Sequence, residues 1–272
     1  MFKKILCPVD FSEDSFNAAE YSNELAILSG SELILVYIKN LMAISQGRLP
    51  MESGSLIEDV ENMAQDQMKG LVDKLSEKNN TGKIKSFFKA GINTGEELLN
   101  ILKEHQPGLV VMYTGGITGI GDRITGTKTD KIIDKTSIPL LLIPAGFKFS
   151  PISSIVFSTD NKGSDKTNLA FVMQFAQLLK AHTHILHIQS AGSSPSEFNE
   201  SLLLKDTAHV SYETKESKDV IDGILDFAKA KESGIIVMST YTRSFFEKLF
   251  SPSLTKNMAY NLQRPLLVLD KD

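Results

Sequence analysis

Gly108–Ile143 reads GLVVMYTGGITGIGDRITGTKTDKIIDKTSIPLLLI. It is an apolar run, a glycine-rich loop, a stretch of helical spacing near Lys128–Lys135, and a second apolar run. Short apolar runs bounded by glycine or proline are the signature of strands buried on both faces of a parallel sheet. The loop between them holds Gly115, Gly116, Gly119, Gly121 and Gly126. Glycine lets a backbone come close to a ligand. A helix starting just beyond leaves free N–H groups and a positive dipole end, which together suit a phosphate. The same glycines would also serve as plain turn residues.

Upstream, the pattern alternates in the same way. Lys4–Val9 is a buried strand ending at Asp10. Ser12 offers an N-cap to a helix with Phe16, Ala19, Tyr21, Leu25 and Leu28 on its apolar side, closed by Gly30. Leu33–Ile38 is a second strand. The segment 39–55, with Gly47, Pro50 and Gly54, has no sustained period and reads as a long loop. Leu56–Lys78 carries Ile57, Val60, Met63, Met68, Leu71 and Leu75 at roughly helical spacing, a stripe that reads as core. Ile84–Ala90 is a third strand, Asn93 or Thr94 opens a helix through Leu98, Leu99 and Leu102, and Leu109–Met112 and Leu140–Ile143 are the fourth and fifth strands. Strands alternating with helices predict an α/β fold with an open parallel sheet covered on both faces.

The chain then repeats itself. Shifted by 150 places, the segment from Ile5 (ILCPVDFSEDSFNAAEYSNELAILSGSELILVYI) lies over that from Ile155 (IVFSTDNKGSDKTNLAFVMQFAQLLKAHTHILHI) without a gap, and Asp10 falls on Asp160. Toward the end the shift is 126, and Gly108–Ile143 lies over GIIVMSTYTRSFFEKLFSPSLTKNMAYNLQRPLLVL from Gly234. The middle of the first copy is the longer. Two tandem domains of five strands each, 1–146 and 151–272, are therefore predicted, joined near Gly146 and Pro151.

Composition agrees with that size. The chain has 272 residues, 42% of them hydrophobic and 23% charged, enough to bury a proper core. A formal charge of −4 gives no general attraction to nucleic acid or anionic lipid. The single cysteine, Cys7, lies in a strand pattern and reads as a buried inert thiol that suits a reducing compartment. The opening MFKKILCPVDF does not read as a signal peptide, because Pro8 and Asp10 break its apolar run. No run is long enough to span a bilayer, so a cytoplasmic protein without membrane or nucleic-acid partners is expected.

These residues together resemble a tandem universal stress protein. The features that carry the resemblance are the first strand ending in Pro8-Val9-Asp10, a second strand ending at Ile38, and the late glycines followed by an Ile-Pro-Leu-Leu-Leu-Ile strand. Nucleotide-binding members of that family carry Gly, two residues, Gly, nine residues, Gly and then Ser or Thr. The matching positions are Tyr113, Gly116, Gly126 and Thr127, so tyrosine stands in place of the first glycine.

The resemblance implies strand order 3-2-1-4-5 in each domain and a pseudo-twofold relation between domains through their last strands, Leu140–Ile143 and Leu266–Leu269. It also implies ATP or a related adenine nucleotide, with or without Mg, across the carboxyl ends of strands 1 and 4. Asp10 would face the adenosine end, with Pro8, Val9 and Ile38 near the base. Met112 and Thr114 would lie along ribose and phosphates, and Gly116, Gly126, Thr127 and the backbone of Lys128 would hold the phosphate tail. Read without the resemblance, Asp10 is more simply a helix cap, and the two roles can coexist. Tyr113 either intrudes on the ribose position or points away from it.

In the second copy the corresponding positions are Ser239, Thr242, Pro252 and Ser253, with Phe245, Phe246 and Phe250 nearby. The glycines are gone, so no nucleotide is expected there, and Asp160 reads as a cap or a remnant. His182, His184, His187 and His209 do not make a metal site: strand alternation puts His182 and His184 on one face and His187 on the other, with no cysteine partners. There is no Walker lysine motif and no nucleophile elbow, and Asp122 and Arg123 are most simply solvated loop residues.

Three classes of function follow. One is a non-catalytic stress-response protein that binds adenine nucleotide in its first domain and is read by a protein partner, as an intramolecular domain pair or a homodimer of such chains. The second is a nucleotide-free, holdase-like interaction protein. The third is a slow ATP hydrolase.

Overall fold

In the computed structural model the described residues are 1–41, 54–79, 83–113, 135–161, 165–190, 192, 209–239 and 264–270. In chain order the first half gives β1 (Lys4–Val9), α1 (Glu13–Ser29), β2 (Glu32–Asn40), α2 (Gly54–Lys78), β3 (Ile84–Gly91), α3 (Thr94–His105), β4 (Leu109–Tyr113) and β5 (Leu140–Ile143). The second half gives β6 (Ser154–Thr159), α4 (Lys166–Leu179), β7 (His182–Ser190), β8 (Val210–Ser217), α5 (Val220–Ala230), β9 (Ile235–Ser239) and β10 (Leu266–Leu269). Strand order is β3-β2-β1-β4-β5 through the first half and β8-β7-β6-β9-β10 through the second, so the duplication is one of topology as well as of letters. The stretch near Lys128–Lys135, expected to be helical, lies outside the described residues except for Lys135.

Two compact units divide the chain: residues 2–136 with 143–149, and Met1 with 137–142 and 150–272. Within the second unit, β5 pairs antiparallel with β10 in the register Leu142 to Leu266, Leu141 to Leu267 and Leu140 to Val268. All four residues of β5 and all four of β10 are buried. Burying a leucine side chain fully is worth about 1.5–3 kcal/mol, so these apolar runs hold their place by burial as much as by hydrogen bonding.

Helix ends follow the residues that read as caps. Ser12, in extended conformation, accepts from Ser15 N–H at the start of α1, and Gly30, left-handed at φ 68°, ends it by donating to Ala26 and Ile27 carbonyls. Asn93 opens α3 by accepting from Gly95 and Glu96 N–H, and Asp219 opens α5 by accepting from Ile221 and Asp222 N–H. Two apolar residues fall outside the core they were expected to join. Leu28 is 49% exposed, at the last turn of α1, and Met63 is 63% exposed. The buried face of α2 runs through Ala64, Met68, Leu71 and Leu75, a stripe of three- and four-residue steps that Met63 misses by one position. Ile57 and Val60 lie outside the described side chains. Leu99 is only partly covered, while Leu98, Ile101 and Leu102 carry the buried face of α3.

The repeat preserves tight packing as well. A Cβ on Gly108 would collide with Phe2 Cβ, and one on Gly234 would lie 2.8 Å from Ile152 Cγ2. Gly108 falls on Gly234 and Phe2 on Ile152 in the duplication. Each glycine thus admits the apolar residue that precedes its half's first strand. Cys7 is fully buried, and burial pushes its thiol up to about 12, so it stays protonated and inert. No helix among the described residues is long and apolar enough to cross a membrane.

Candidate functional site

In the first half β1 lies between β2 and β4, and the chain leaves β1 toward one neighbour while the other belongs to a later crossover. At such a switch point two neighbouring loops diverge and leave a crevice beyond the carboxyl ends of the strands. Pro8 ends the hydrogen bonding at that edge early. The β1·β4 ladder holds only Ile5 to Leu109 and Leu6 to Val110, although β4 runs on to Tyr113. A proline has no N–H with which to extend a ladder. In the second half Ser158 stands where Pro8 does, and the β6·β9 ladder continues through Ser158 to Met238. A proline inside a central strand was the sequence signal for this difference.

The described site residues gather at that edge. Pro8 and Val9 end β1, Ile38 lies near the end of β2 and Met112 near the end of β4; all four are buried. Asp10 and Tyr113 are partly exposed beside them. Thr114, Gly116, Gly126, Thr127 and Lys128, together with Asp122 and Arg123, lie outside the described residues, as do Phe245, Phe246 and Phe250 of the second half.

Asp10 is not itself the cap of α1. Its Oδ1 accepts from Ser12 N–H at 3.0 Å and Ser12 Oγ–H at 2.6 Å, so it braces the serine that caps the helix. Its Oδ2 accepts from the Tyr113 hydroxyl at 2.5 Å. Tyr113 therefore reaches across the crevice from the end of β4 onto the carboxylate at the end of β1. Burial, and then the bond to Asp10, hold the Tyr113 phenol above its ordinary range, so it remains a protonated donor. This tie is the feature that sequence reading missed. Tyr113 stood out as a departure, but its partner depended on which strand ends lie side by side.

The residue after Asp10 is also unusual. Phe11 has φ 65°, a left-handed conformation uncommon for a bulky residue, and its repeat partner Asn161 has φ 61°. Phe11 stacks on Tyr37 with ring centroids 4.8 Å apart, and Tyr37 meets Phe88 edge-on at 6.0 Å. This aromatic row has no counterpart in the second half, where Asn161, His187 and Thr214 occupy the matching register positions.

In the second half the same edge is closed by buried polar groups. Asp165, 0% exposed, accepts from Thr159 Oγ1–H at 2.6 Å and from Ser239 Oγ–H at 2.9 Å. Ser239 stands where Tyr113 does. Asn168 in turn donates to Ser239 Oγ at 2.9 Å and to the Asp270 carbonyl at 2.8 Å. The Asp165 carboxylate is committed here and makes no cap bond to α4. Asp160 keeps its place at the end of β6, partly exposed.

A second polar group lies on β7 and β8. His182 and His184 share one face, with ring centroids 4.6 Å apart, while the His187 ring pairs with the Thr159 carbonyl at 3.1 Å. His184 Nδ1 lies 2.7 Å from Ser211 Oγ and 3.3 Å from Glu213 Oε1, and Lys231 Nζ lies 2.9 Å from the same carboxylate oxygen. Burial first, then His182 and Lys231, hold His184 below the ordinary imidazole range against the opposing pull of Glu213. His184 is thus a neutral hydrogen-bonding group at neutral pH. Among the described residues, no group of three or more His, Cys, Asp or Glu is placed to hold a metal ion.

Comparison with known proteins gives a consistent picture. The family model of the Universal stress protein family matches residues 1–144. Over 160 residues the chain is 24% identical to Universal stress protein MJ0577 of Methanocaldococcus jannaschii, covering 53% of this chain and 95% of that protein. The fold is similar to that of a universal stress protein from Archaeoglobus fulgidus, with a TM-score of 0.73 at 16% identity over 98% of this chain and 96% of that one. It is also similar to a functionally unknown protein, PA1789, from Pseudomonas aeruginosa, with a TM-score of 0.57 at 14% identity over 100% and 93% of the two chains.

Proposed function

The chain belongs to the universal stress protein family, which makes it a stress-response protein, and from that premise we propose that it works by binding ATP or a related adenine nucleotide in its first half without turning it over. The observation that carries this reading is the early end of the hydrogen-bonded ladder between β1 and β4. The ladder stops at Leu6, Asp10 stands at the mouth, and the glycine-bearing stretch 114–128 leaves directly from β4. In the proposed mode Pro8, Val9 and Ile38 border the base and Asp10 faces the nucleoside. Met112 and Thr114 follow the ribose and phosphates, and Gly116, Gly126, Thr127 and the Lys128 backbone offer N–H and hydroxyl donors to the phosphate tail, with or without Mg.

The second half supports a division of labour by contrast. Its edge is zipped two pairs further along, its carboxylate is buried in hydrogen bonds, and its loop carries Thr242, Pro252 and Ser253 in place of the glycine positions. Binding stabilises the nucleotide-bound conformation or assembly, which a protein partner reads. A second reading, a nucleotide-free interaction protein, is favoured by one observation: the Tyr113 hydroxyl already occupies Asp10.

Mass spectrometry of small molecules released from the purified protein, followed by calorimetry with ATP and AMP, separates the two. Nucleotide binding that is lost in Gly126→Val supports the first reading. No binding at millimolar ATP leaves the second, and Gly126→Val binding as well as the parent removes the phosphate assignment.

A further inference from the structure

The second half shows what a permanent tie across this edge looks like. Asp165 is 0% and Ser239 1% exposed, and Asn168 fixes the serine from behind. The first half makes the corresponding tie differently. Its carboxylate comes from the strand end, its donor is a phenol on a long side chain, and both Asp10 and Tyr113 keep contact with solvent. Breaking a hydrogen bond between half-exposed groups costs little, because water replaces each partner. Breaking one between fully buried groups leaves both unsatisfied. The Asp10–Tyr113 tie is therefore the one built to open.

We propose that Tyr113 is a built-in competitor for the nucleotide: its hydroxyl holds Asp10 Oδ2 until a hydrogen-bond donor of the nucleoside displaces it, so this residue sets the nucleotide concentration to which the protein answers. The inference rests on the nucleotide reading above. Its chemistry is a direct exchange. Among the described residues Oδ1 already takes two donors from Ser12, its full capacity, so a nucleoside donor comes to Oδ2, the oxygen on which the Tyr113 hydroxyl already stands. When the binding-competent state is only a fraction of the population, apparent affinity falls by that fraction. Removing the phenol's hydroxyl removes the competing state and keeps the ring.

The test is calorimetric titration of ATP into the parent, Tyr113→Phe, Asp10→Asn and the double variant, each checked for cooperative melting. Tyr113→Phe is expected to bind about threefold to tenfold more tightly than the parent, the range of a hydrogen bond whose partners water can replace. That gain should vanish in the Asp10→Asn background, since the two residues act through one contact. Should the ring prove sensitive in packing, Tyr113→Leu also lacks the hydroxyl and is expected to gain in the same direction. A parent that binds ATP while neither hydroxyl-free variant binds more tightly overturns the proposal and leaves the nucleotide reading standing. A gain that persists in Asp10→Asn overturns the competition for that carboxylate. No binding by parent or variants at millimolar ATP overturns both.

Discussion

Two aspartates close the two crevices, and their surroundings decide what each can do. Asp165 is enclosed by Thr159, Ser239 and Asn168 contacts, a satisfied polar cluster whose loss would strand buried groups, whereas Asp10 shares its carboxylate between a serine and a half-exposed phenol. The histidine pair on β7 allows a separate prediction at this scale. His184 is held below its ordinary range in the folded chain, so below an unfolded imidazole value of about 6.5 the unfolded state binds more protons. Its contribution to stability is thus present above that pH and is lost as pH falls toward the depressed folded value. The melting temperature should fall between pH 7 and pH 5, and the fall should be smaller in His184→Gln. Equal falls in both would mean that other groups carry the acid response. Sharing of one strand face by His182 and His184 was legible from alternation alone. Their contacts with Ser211, Glu213 and Lys231 were not, because they depend on which residues of β8 and α5 lie alongside.

At the scale of elements, turn chemistry was the most legible part. Ser12, Asn93 and Gly30 each end a helix as their residue type dictates, and β1, β5 and the apolar runs of the second half fall where they were expected. Helix faces were less so. The stripe on α2 drifts by one position, so that Ala64 rather than Met63 meets the core, and no side-chain property of methionine announces this. The duplication supplies an internal control on one cap. Gly30 and its repeat partner Lys180 both end a helix in the left-handed conformation, at φ 68° and φ 56°. A side chain costs about 1–2 kcal/mol there, and glycine escapes that cost. Lys180→Gly should therefore raise unfolding stability by about 1 kcal/mol, and Gly30→Ala, which meets no atom within 4 Å, should lower it by a similar amount. Urea unfolding of both variants checks the pair. Opposite signs are expected, and a shared sign would rule out backbone strain as the cause.

For the molecule as a whole, the repeat visible between Ile5 and Ile155 was enough to expect two five-strand halves, while the strand order within each was implied by the family resemblance. What made the halves unequal was partly legible. The glycines of 114–128 against Thr242, Pro252 and Ser253 could be compared letter by letter. The shortened β1·β4 ladder had its signal in Pro8 against Ser158, whereas the tie from Tyr113 to Asp10 had none, since it depends on which strand ends lie side by side. The proposed division of labour leaves one ligand-binding half and one structural half. Equilibrium dialysis against ATP, read as nucleotide bound per chain at saturation, decides it: one nucleotide per chain, lost in Gly126→Val, is expected, and either two per chain or none at millimolar ATP would rule it out.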